Sequence, residues 1–183
     1  MSRYKHPHWR NQRNQNISTW CIKLLKEFNW KNIIKIYLTF WLGLLGGGLI
    51  DYFKGFSKPS VPIPLPIPDY GLFLKIIEVN FTFAIILFLL GISKVIQRIV
   101  ILVLSFVIGE IVFTSGFIIG LIGILPHGIL ELLGFCFIAY AGENFRYRNK
   151  VIKLLFIGFI MLVIAAFIES SLTIYILEHI LSK

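Results

Sequence analysis

GFIIGLIGILPHGILELLGFCFIAYAG, residues 116–142, decides how this chain is to be read. The stretch is apolar almost throughout, is interrupted by glycines and Pro126, and carries one imidazole and one carboxylate, His127 and Glu131. Such a run suits a membrane, where a spanning helix needs about 20 apolar residues. A carboxyl group in hydrocarbon is costly, so it faces a bundle interior or a water-filled cavity. Their four-residue spacing puts His127 and Glu131 on one helical face, provided the helix starts by His127. The glycines and Pro126 leave two readings of 116–128. It either extends the preceding helix or folds back as a re-entrant element, whose broken backbone needs protein or water around it.

The rest of the chain agrees with a membrane solvent. Of 183 residues 57% are hydrophobic, 17 are phenylalanine, and the mean hydropathy is +0.81. These values point away from a soluble core and to an all-α, polytopic transmembrane bundle. Five crossings are expected, at about 33–50, 72–92, 98–118, 128–141 and 151–177, with a broken segment near 116–128 that leaves six open. In the first, Gly46, Gly47 and Gly48 either permit close packing or interrupt the helix. Before these runs lie a basic, mobile leader (1–16) and an amphipathic segment (17–32). In the latter Ile17, Cys21, Leu24, Leu25 and Phe28 recur at helical spacing among Lys23, Lys26 and Glu27, as in a helix lying on a cytosolic leaflet. The bundle then occupies 33–177 and a short tail 178–183. A connector at 51–70 contains PSVPIPLPIPD, whose prolines favour extended backbone. No cleavable signal is apparent.

Charge sets the orientation. The net charge is +9, but its basic residues cluster: eight lie at or before Lys35, two are Lys94 and Arg98, and four run from Arg146 to Lys153. These fall on one side of a five-crossing chain; only Lys54, Lys58, Lys75 and Lys183 fall on the other. The positive-inside rule then places the amino terminus in the cytosol and the carboxyl terminus outside, in a cell membrane. Basic residues so arranged read as topology and attraction to anionic lipid, not as a nucleic-acid face. Cys21 and Cys136 form no metal-spacing motif and no expected disulfide, and His6 and His8 belong to the mobile leader.

Alternating the crossings draws several polar residues toward the outer half: Glu78, Glu110, Glu131, Glu169 and His127, with Asn80, Thr114, Ser170, Ser171 and Thr173 as further polar atoms. A cavity opening outward is the geometric expectation. His127, Glu131 and Glu169 are the candidate metal ligands, for zinc, manganese or another divalent ion. The same five residues would suit a cation or proton path. They would also suit a structural network of neutral glutamates hydrogen-bonding across helices. HGxxE lacks the second histidine of the HExxH metalloprotease helix. Gly116, Gly120, Pro126 and Gly128 are read as shaping and packing positions, and Ala165 and Ala166 as small residues that let a helix or ligand approach Glu169.

The stretch GILPHGILELLGFCFIAYAGENF, together with IAAFIESSLT, resembles the stage II sporulation protein M family of multipass membrane proteins, over about 33–177. The family-like PHGxxE signature falls on Pro126, His127, Gly128 and Glu131, and the alanine–alanine–glutamate feature on Ala165, Ala166 and Glu169. The resemblance implies a membrane-associated complex that recruits peptidoglycan-degrading enzymes, and it supplies no catalytic assignment. The leading expectation is a non-enzymatic membrane scaffold or complex component with lipid contacts, a membrane or envelope protein partner and homo-oligomerisation as an open arrangement. Its competitors are a cation, proton or small-solute transporter and an intramembrane metal-dependent hydrolase.

Overall fold

A backbone N–H or C=O exposed to lipid has no water to bond, so an apolar run of this length closes its hydrogen bonds within itself as a helix. That requirement outweighs the modest helix propensity of the Ile, Val and Phe that fill these runs. A computed structural model of the chain describes residues 29–55, 70–114 and 116–173, except the side chains at 148–150 and 173. They form α1 (Trp30–Lys54), α2 (Tyr70–Leu90), α3 (Lys94–Phe113), α4 (Phe117–Glu143) and α5 (Arg148–Ile168), followed by a π-helical turn, Glu169–Thr173. There is no strand among the described residues, and five helices are long and apolar enough to cross a membrane. The described residues from Ile33 onward belong to one compact unit, and 29–32 fall outside it.

Four expectations fall outside the described residues: the mobile leader, most of the amphipathic segment with Cys21, the prolines at 59–68, and the carboxyl tail. The connector also begins later than expected. Helix α1 continues through Asp51 to Lys54 and stops where Gly55 adopts φ +80°, a backbone conformation that glycine enters without a Cβ penalty.

The larger correction concerns 116–128. The segment is neither re-entrant nor part of α3. The break falls at 114–116, where Gly116 takes φ +119°, and α4 then runs unbroken through Pro126 to Glu143. Proline in a helix interior costs about 3 kcal/mol, because one N–H is lost and the ring crowds the preceding turn. Helix α4 outweighs that cost by packing against α1, α2, α3 and α5, most completely over 134–142. Phe40 of α1 and Phe83 of α2 both meet Phe135, with ring centroids 6.0 and 4.8 Å away. Ile124 joins Leu44 and Phe113 in a further apolar cluster, and α5 lies along α4 with Gly134 against Gly158.

Side-chain burial does not drive helices together when lipid is as apolar as leucine; close van der Waals packing does. The chain provides it with small residues on facing helices. Gly43 and Gly47 of α1 lie against Ser105 and Gly109 of α3 so closely that an added methyl at Gly47 would overlap the Phe106 carbonyl. The expected Gly46–Gly48 cluster therefore packs α1 and does not interrupt it. At the end of the bundle formed by the turns at 91–93 and 144–147, Gly91 and Gly142 bring α2 and α4 into backbone contact. We call this the turn end.

Candidate functional site

Helix α4 contributes two of the site's side chains. At 1.5 Å per residue His127 lies about 15 Å and Glu131 about 21 Å from Phe117, so Glu131 sits near the middle of a helix about 40 Å long. Starting the fourth crossing at 128 had put it at the helix's outer start. Glu169 arrives from α5, at the point where that helix opens into the π turn. Such turns are rare and often occur at functional sites. Ala165 and Ala166, both essentially buried, bring this part of α5 close to its neighbours.

The three side chains converge. His127 Nε2 lies 4.0 Å from Glu169 Oε2. One ligand atom from each of His127, Glu131 and Glu169 lies within 4.8 Å of the others. His127 is buried, and the Glu169 side chain is 34% exposed. The Asn80 amide, carried by α2, lies beside the Glu131 carboxylate. Asn80 is 7% exposed, and its amide nitrogen makes no hydrogen bond of regular geometry.

Two of the candidate acids stand apart. Glu110 pairs with Lys54 of α1 at 2.6 Å, near the opposite end from the turns, and Glu78 is exposed on α2. Of the hydroxyl groups expected to add polar atoms, the Thr173 side chain lies outside the described residues and the other three are directed into their own helices. Thr114 Oγ1 donates to the Glu110 carbonyl (2.6 Å), and Ser170 and Ser171 donate to the Phe167 carbonyl (3.2 and 2.5 Å). Of that set Asn80 alone reaches the site among the described residues. Gly120 packs against Phe113, whereas Gly116 has open space around it and shapes the turn; Gly128 faces the Ile124 side chain.

A second polar group lies at the turn end, and the sequence reading missed it. Glu143, with 1% of its side chain exposed, pairs with Arg98, and Lys94 Nζ lies 3.9 Å from its second oxygen. Gln97 is wholly buried and donates to the carbonyls of Leu87 (2.7 Å) and Ala139 (3.1 Å), tying α3 to α2 and α4. Leu87 is among the last four residues of α2, whose carbonyls have no helical partner, so Gln97 supplies one. A signal for it was available. Gln97, Ile101, Ser105, Gly109 and Phe113 recur every four residues and form the buried stripe of α3. Cys136 is a buried free thiol on α4.

No curated protein and no solved structure gives a significant match to the chain. A family profile described as "Stage II sporulation protein M" matches residues 49–174. The match covers α2 to α5, the π turn and all five candidate residues, and leaves most of α1 outside, so it begins later than the resemblance from residue 33 implied.

Proposed function

The chain belongs to the stage II sporulation protein M family, and from that premise we propose that it is an integral-membrane scaffold, one component of an envelope-associated protein complex. What supports a scaffold over a conduit is the packing of α4 beyond the site. Nine consecutive residues, 134–142, are buried, and only Cys136 and Tyr140 among them carry a polar side-chain atom. They occupy about 13 Å of helix between the His127–Glu131–Glu169 group and Glu143. A hydrated ion would lose its water there with only Gln97, Cys136 and Tyr140 offering side-chain polar atoms in return. Small residues at the helix seams also favour a bundle that holds its shape.

In this reading the turn end faces the cytosol, because Lys94, Arg98 and Arg146 lie there and basic residues stay inside. The proline-rich connector and the carboxyl end then face the envelope partner, and the exposed aliphatic side chains of α1 to α3 meet lipid.

The test uses the full chain in two settings. Reconstituted in sealed vesicles, it is expected to pass neither protons nor potassium above protein-free controls. In its native membrane, a chain carrying a photo-crosslinker at residue 63 is expected to give a defined adduct with one membrane or envelope protein. Flux abolished by Glu131→Gln would overturn the reading in favour of transport. Absence of any adduct at connector positions would overturn the scaffold role.

A further inference from the structure

From the geometry we infer that His127, Glu131 and Glu169 form a binding site for one divalent transition-metal ion, with Asn80 positioning a ligand water. The site is independent of the scaffold role.

Donor type is the first argument. One imidazole nitrogen and two carboxylates make an oxygen-rich set of intermediate hardness, which suits zinc, manganese or iron(II) and disfavours copper(I), whose preferred ligands are thiolates and thioethers. Three protein ligands with an open position are also the pattern of a zinc site that keeps a water.

Charge is the second. Among the described residues no lysine or arginine forms an ion pair with Glu131 or Glu169; Lys54 is taken by Glu110, and Lys94 and Arg98 by Glu143. Two carboxylates brought together away from bulk water repel unless a proton or a cation lies between them. A divalent ion compensates both at once.

Asn80 is the third and independent observation. Its buried amide nitrogen lies beside Glu131 without a regular hydrogen-bond acceptor. The amide carries two N–H groups, and its contact with the Glu131 carboxylate leaves at least one of them without a good acceptor. On zinc a ligand water has its pKa lowered to about 7, and the hydroxide it yields has lone pairs free to accept that N–H.

Distances are compatible with the assignment. Bonds of about 2.0–2.2 Å in a tetrahedral site place donor atoms about 3.3–3.6 Å apart. The three donors now lie within 4.8 Å of one another. Closing the difference takes movements of roughly 1 Å, within reach of glutamate χ rotations.

Purified full-length protein in lipid nanodiscs, equilibrated with zinc, desalted and submitted to elemental analysis, is expected to retain about one zinc per chain. Cobalt(II) in its place should give the intense visible absorption of a four-coordinate site. The double variant Glu131→Gln/Glu169→Gln keeps side-chain shape and should lose both signals while remaining helical by circular dichroism. Asn80→Leu should weaken zinc binding by about 10- to 100-fold. Glu110→Gln, and His6→Ala/His8→Ala in the leader, should retain full stoichiometry. Failure of the unaltered protein to hold zinc or cobalt would overturn the site. So would zinc retained by the double variant, or zinc lost with the two leader histidines.

Discussion

Glu143 and Glu131 belong to one helix, twelve residues and about 18 Å apart, and meet opposite surroundings. Glu143 is almost wholly buried, and its charge is answered within the chain by Arg98 and Lys94. Glu131 faces Glu169, His127 and the Asn80 amide. A carboxylate that brings its own cation is part of the architecture. One that faces another carboxylate has its compensation left to solution. On that contrast rests the proposed distinction between a lock and a binding site, made without reference to sequence motifs.

Arg98→Ala should produce the largest change, because it leaves Glu143 buried without its nearest cation. Breaking a buried pair from one side costs about 3–5 kcal/mol. Denaturant unfolding in detergent micelles should show that loss, and Arg98→Ala/Glu143→Leu should recover most of it. Should the single variant be as stable as the parent, Glu143 is not the lock described here.

At the site the sign reverses. Removing carboxylates there should not destabilise the metal-free protein, because Glu131→Gln/Glu169→Gln also removes a repulsion. Zinc at 100 times its dissociation constant should stabilise the parent by about 2.7 kcal/mol and leave the double variant unmoved. Equal responses in melting curves with and without chelator would erase the distinction between the two ends.

Gly47→Leu probes whether the site depends on α1. Overpacking a close seam costs about 1–3 kcal/mol, yet zinc stoichiometry should persist, since no ligand comes from α1. Smallest of all is Glu110→Gln: its partner Lys54 is largely exposed, and the thermal midpoint should shift too little to resolve. A large drop would place Glu110 with Glu143 among the locks.

Much of the fold was legible because crossing a membrane requires a long apolar run, and all five runs stand out in hydropathy. Helix rotation was harder to read. Lipid-facing and core-facing positions share the same chemistry, so Glu78 could not be told from Glu131 by its neighbours. The His127–Glu131 pair followed from helical spacing, and Glu169 from alternation of the crossings. The start of α4 was misplaced because Pro126 and its flanking glycines look like a break when the packing that sustains the helix is out of sight. Glu143 and Gln97 were missed for a related reason. They sit near helix ends, where a polar residue ordinarily meets water, and only their contacts across helices show them buried.

The glycine seam between α1 and α3 has a mechanical meaning. Where Gly43 and Gly47 meet Ser105 and Gly109, no long side chain lies between the two backbones to act as a cushion. Bending stiffness rises steeply with the thickness of what bends, so two rods joined this way behave as one beam. A pull applied along α1 is delivered to α3 with little slack, and Gln97 on α3 passes it to α2 and α4.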